Sequence, residues 1–106
     1  MQSLEKIPNA IGGRKVLSVS ARTTAVFNPA TGEQSAILPL SETAEVNAAV
    51  AVAKAAAVEW GVTPPLKRVK PMFKFKELLE RYANDIARAI SKEHGKTHAD
   101  ALGELA

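Results

Sequence analysis

Residues 72–90, MFKFKELLERYANDIARAI, constrain the fold more than any other stretch of the chain. Apolar side chains recur at 72, 75, 79, 82, 86 and 90, with Leu78, Ala83 and Ala89 beside them. Steps of three and four place one apolar face on a helix. Lys74, Glu77, Arg81, Asp85 and Arg88 fall on the opposite face. Nearly all the large side chains of the C-terminal half lie here, so the stripe is expected to be the main core contributor. It carries packing and no chemistry.

The 106 residues are a length that suggests one domain. The apolar share of 46% suffices for a globular core, but only 5% is aromatic, and alanine fills much of the rest. Residues 1–60 balance five basic against five acidic side chains, so residues 61–106, with nine basic and six acidic, hold the whole net charge of +3. There is no cysteine, which excludes disulfides, cysteine metal sites and a thiol nucleophile within these residues. No run reaches the eighteen or so apolar residues of a membrane helix. The N-terminus has no apolar segment of the signal-peptide kind, so a cytoplasmic location is expected and membrane association is not.

Residues 1–9 read as a polar lead-in. Gly12-Gly13 between two apolar ends predicts a first short hairpin. Residues 18–24 read as a polar link. Residues 25–27 and 34–40 read as strands of a second hairpin around Asn28-Pro29-Ala30-Thr31-Gly32-Glu33. Ser41 is the expected cap of the next helix, with Glu42 and Glu45 suited to its positive end. Val46, Ala49, Val50, Ala53, Ala57 and Trp60 form its apolar stripe, and Gly61 is expected to end it. Helices are predicted over 42–59, 66–81, 83–94 and 98–106. Pro71 conflicts with a helix starting near Pro65, so a kink or broken turn is expected at 67–71, or a start near Lys70. Gly95 suits a helix stop, and Thr97 with Asp100 suits a new start. The fold class is therefore α/β: two hairpins over 10–40, then about four helices over 42–106.

Three groups invite a chemical reading. Gly95-Lys96-Thr97 looks like the end of a phosphate-binding loop, but the glycine required five residues earlier is Ile90, and a helix precedes instead of a strand. A helix stop followed by a helix start accounts for all three residues. His94 and His98, with Asp100 nearby, have helical spacing for a metal pair, but Gly95 interrupts the helix between them. Lys67, Arg68, Lys70, Lys74 and Lys76, interleaved with Phe73 and Phe75, could face nucleic acid. The modest net charge favours a solvated basic face. No dinucleotide glycine fingerprint and no nucleophile–histidine–acid arrangement is present, so no catalytic, cofactor-binding or metal residue is assigned.

The pieces nevertheless occur in a familiar order. Ile11-Gly12-Gly13, Phe27-Asn28-Pro29-Ala30-Thr31-Gly32-Glu33, Val46-Asn47-Ala48-Ala49-Val50 through Trp60, Lys67-Arg68, Glu93-His94-Gly95-Lys96-Thr97, Asp100-Ala101 and Gly103-Glu104 resemble the start of the aldehyde dehydrogenase superfamily. Thr63-Pro64-Pro65-Leu66, residues 73–81 and Glu93-His94-Gly95-Lys96 look most like its CoA-acylating methylmalonate-semialdehyde dehydrogenases. Pro71 departs from the family pattern.

The resemblance implies a longer parent, of which these residues are roughly the first fifth. The parent would be an NAD-dependent enzyme with a catalytic cysteine, passing an acyl group to coenzyme A with loss of carbon dioxide to give propionyl- or acetyl-CoA. Its substrate would be a small semialdehyde, and a homo-oligomer is expected. The present residues would be the N-terminal part of the NAD-binding domain, truncated before the Rossmann and catalytic parts. They would be inactive alone, bind neither NAD nor coenzyme A, and have the remainder of the domain as partner. The alternative is a self-standing helical module that binds protein or nucleic acid through the 67–76 basic face.

Overall fold

A computed structural model describes residues 3–106. The described chain forms two compact units, residues 3–26 with 34–62, and residues 27–33 with 63–106.

In the first unit, β1 (Asn9–Ile11) and β2 (Arg14–Val16) pair antiparallel, with Asn9 opposite Val16 and Ile11 opposite Arg14. Gly12 and Gly13 at φ 59 and 76 make the two-residue turn, in the left-handed conformation that such turns require. β3 (Thr23–Phe27) pairs with β4 (Gln34–Pro39). The Leu40 N–H donates to Arg22 O at 2.9 Å, and Ser35 Oγ donates to Val26 O at 3.2 Å. The lead-in is more than a tail. Ile7 N–H donates to Ile37 O at 2.9 Å and Ile37 N–H to Glu5 O at 3.0 Å, a parallel bridge onto β4.

Helix α1 (Thr43–Val62) follows β4. Its cap is Glu42 and not Ser41. The Glu42 carbonyl accepts from the N–H groups of Glu45 and Val46 at 3.0 and 3.1 Å. Ser41 is drawn away because its hydroxyl accepts from Asn9 Nδ2 at 2.9 Å. Gly61 does not stop the helix. It has no positive φ, and the stop falls beyond Val62, where Pro64 and Pro65 cannot supply N–H groups. None of α1 is buried. Of the predicted stripe, Ala49 is half-buried, while Val46, Val50, Ala53, Ala57 and Trp60 stay exposed.

The second unit holds α2 (Pro65–Arg81), α3 (Ala83–His94) and α4 (His98–Leu105). Proline is at home in the first turn of α2, where Lys67 and Arg68 N–H bond Pro64 O at 2.9 and 3.0 Å. The helix runs unbroken from Pro65 through Pro71, so the broken turn and the later start are both overturned. Sixteen other helical residues carry Pro71, which gives up the bond its N–H would make to Lys67 O. Tyr82, at φ −102 and ψ 16, separates α2 from α3. Gly95 at φ 72 ends α3, with its N–H on Ser91 O at 2.8 Å. Thr97 Oγ1 accepts the Asp100 N–H at 3.2 Å and starts α4.

The turn 28–33 is locked by its own side chains. Asn28 Oδ1 accepts Ala30 N–H at 3.0 Å, and Asn28 O accepts Gly32 N–H at 2.8 Å. Pro29 lies against Gly95, where a Cβ would stand 3.3 Å from Pro29 Cγ.

The expected core stripe is also corrected. Met72, Phe75 and Tyr82 are 57%, 55% and 48% exposed, while Leu79, Ile86 and Ile90 are half-buried. Among the described residues, Ala87 and Ala101 are fully buried, where α3 packs on α4. Close packing in this unit therefore rests on small side chains. The amphipathic pattern is real, but its large side chains are only partly covered by the described chain.

Candidate functional site

Several of the groups read as chemistry in the sequence have a structural occupation. Gly95 closes α3, Thr97 opens α4, and Lys96 Nζ pairs with Glu104. His98 Nε2 lies 3.2 Å from Asn84 Oδ1, and His94 stands in the last turn of α3. Among the described residues no three His, Cys, Asp or Glu converge on a metal position. The basic run is partly neutralised along α2. Lys74 pairs with Glu77 at 2.9 Å, Lys76 pairs with Glu80, and Arg81 also reaches Glu77 at 2.8 Å. Arg68 is half-buried with its Nε out of solvent. Phe73 and Phe75 are both exposed, but they succeed each other at a two-residue step on a helix and so face different sides.

The densest polar cluster lies elsewhere, at the first turn of α1. The link 17–22 between β2 and β3 has no regular structure, and alternate residues of it reach two carboxylates. Ser18 Oγ donates to Glu45 Oε2 at 2.8 Å, and Val19 N–H donates to Glu45 Oε1 at 3.1 Å. Ser20 Oγ donates to Glu42 Oε1 at 2.7 Å, and Arg22 Nε and Nη2 each reach Glu42 at 3.3 Å. Glu45 also accepts the Glu42 N–H at 2.8 Å, closing the start of the helix. The Ser20 hydroxyl, then the Arg22 guanidinium, hold the Glu42 carboxyl below its ordinary 4.5. The Glu42 N–H, then the Ser18 hydroxyl, do the same for Glu45. This cluster was invisible as a site in the sequence, where residues 18–24 read as a polar link. The only signal was the Ser-x-Ser-x-Arg alternation beside Glu-x-x-Glu. Beside it, Asn9, Ile11, Ser41, Glu45, Val46 and Val50 help line an open cleft of about 270 Å³. Its lining is mostly apolar, and the Asn9 and Ser41 side chains already bond each other.

The start of α1 is a poor seat for a dinucleotide. A pyrophosphate needs free amides at a helix N-terminus that follows a strand, loosened by glycine. α1 is the helix that directly follows a strand here, with Glu42 at its cap and Glu45 in its first turn. Two carboxylates at that end repel a phosphate, and Glu45 already takes the Glu42 N–H at 2.8 Å. The chain holds no cysteine for a thioester. Among the described residues no helix is long and apolar enough to cross a membrane.

Comparison with known proteins gives these parts a context. Residues 16–106 match the sequence profile of the aldehyde dehydrogenase family. A malonate-semialdehyde dehydrogenase of Halalkalibacterium halodurans is 44% identical over 101 residues, 95% of this chain and 21% of the relative. The crystal structure of a methylmalonate-semialdehyde dehydrogenase from Oceanimonas doudoroffii is 47% identical with a TM-score of 0.91, covering 96% of this chain and 21% of that one. A Sinorhizobium meliloti structure described as a methylmalonate-semialdehyde dehydrogenase complexed with NAD superposes at a TM-score of 0.92 with 38% identity, over 98% of this chain and 21% of that one. The chain thus spans about a fifth of the length of the relatives it matches.

Proposed function

The chain belongs to the aldehyde dehydrogenase family, and on that premise we propose that it is the N-terminal portion of a CoA-acylating (methyl)malonate-semialdehyde dehydrogenase. The observation that carries this reading is the 47% identity and 0.91 TM-score to the Oceanimonas enzyme across 96% of the chain. The parent would oxidise a small semialdehyde with NAD and coenzyme A, releasing carbon dioxide, NADH and propionyl- or acetyl-CoA. It would work in the cytoplasm as a homo-oligomer.

Within that parent these residues contribute scaffold. They form the outer hairpins and helices of the NAD-binding domain, and the rest of that domain is their partner. They hold no catalytic or cofactor-binding group. The absence of cysteine and the acidic first turn of α1 both support this division of labour. The test is the coding sequence beyond Ala106. Continuation into a strand–glycine turn–helix unit, followed by a cysteine-bearing segment, is expected. An immediate stop codon in a verified transcript would overturn the reading.

A further inference from the structure

We propose that residues 18–22 form a strap that Glu42 and Glu45 buckle onto the first turn of α1, and that the strap opens as one piece when those carboxylates lose their charge. Residues 17–22 belong to no strand, and the far end of the strap is tied to the backbone where Arg22 O accepts the Leu40 N–H at 2.9 Å. In extended chain, residues 18, 20 and 22 share a side. In the first helical turn, residues 42 and 45 share a face. The two periodicities match there, and six donors meet two carboxylates.

Ser20, nearly buried, ties the two halves together. Its N–H donates to Ser18 Oγ at 3.1 Å, and that hydroxyl donates onward to Glu45. Its own hydroxyl donates to Glu42 and accepts the Arg22 N–H at 3.2 Å. Each serine thus relays a backbone N–H to a carboxylate, and such chains strengthen one another. Protonation or amide substitution of one carboxyl removes acceptor capacity at one end and weakens the other.

The charged groups facing the buckle are Arg22, which favours the ionised form of Glu42, and the two glutamates, whose mutual repulsion opposes it. Asn9 and Ser41, beside Glu45 in the cleft, carry no charge. Because both carboxyls are held low, acid opening needs a pH below the ordinary carboxylate range.

Amide hydrogen exchange of the 106-residue chain tests this in the parent sequence, in Glu45→Gln and in Ser20→Ala, the last of which keeps the helix start intact. At neutral pH, Glu45→Gln is expected to speed exchange about tenfold or more at Val19, Ser20 and also Arg22, while amides of β1, β2 and α2 hold. Ser20→Ala is expected to do the same at Val19 and Arg22. In protection factors, the parent sequence in acid should reproduce that pattern. If Glu45→Gln frees Val19 and leaves Arg22 protected, or Ser20→Ala leaves Val19 protected, the contacts are independent and the proposal fails. Loss spread evenly into the helices would overturn it as well.

Discussion

At Gly95 the backbone takes φ 72, and a Cβ there would stand 3.3 Å from Pro29 Cγ and 3.6 Å from Ala30 N. Gly95→Ala therefore meets both a left-handed backbone and a crowded site. The backbone part alone costs about 1–2 kcal/mol. Gly103, inside α4 with open space around it, is the control. Gly103→Ala should stabilise by about 0.5–1 kcal/mol. Urea melts of both variants followed by circular dichroism check the pair. Such single positions were the most legible part of the sequence, because Gly12-Gly13 and Gly95 each answer a local backbone demand. Ser41 was misread for the opposite reason. Its hydroxyl goes to Asn9, 32 residues away, and no local pattern announces that.

Among the elements, α2 offers the cleanest test. Because the helix runs from Pro65 through Pro71, Pro71→Ala restores the bond to Lys67 O and removes the ring. An interior proline costs ~3 kcal/mol, so a clear rise in melting temperature is expected, and an unchanged or lower midpoint would count against it. The start of α1 sets the pH response. Glu42 and Glu45 have folded values below 4.5, so their contribution is present above the unfolded value and fades as pH falls from about 4.5 through the lower folded values. Glu42→Gln should lower the melting temperature near neutral pH and shrink the further loss on acidification, as melts at about pH 7 and about pH 3 would show. The limits of α3 matched the expected 83–94, but α1 ran past Gly61 to Val62 and α2 ran through Pro71, so glycine and proline signals misplaced those limits. The strap was not legible, since three residues at a two-residue step are too few to announce a pattern.

Across the whole molecule, the apolar stripe was read correctly as a pattern and wrongly as a core. Periodicity tells which residues share a face. It does not tell whether the covering surface lies in the same 106 residues, and Met72 and Phe75 remain more than half exposed. The missing cysteine and glycine fingerprint left no residue in the sequence to assign to catalysis, and membership of the aldehyde dehydrogenase family was legible only through the order of its motifs. Alone, the chain is expected to give no NADH from a semialdehyde with NAD and coenzyme A, and no measurable NAD binding by calorimetry.

The most direct measurement grafts this chain in place of the corresponding fifth of the Oceanimonas methylmalonate-semialdehyde dehydrogenase and follows NADH formation with methylmalonate semialdehyde, NAD and coenzyme A. The account predicts turnover by the chimera and none by the chain alone. A chimera that folds and binds NAD but forms no NADH, or turnover by the isolated chain, would contradict it.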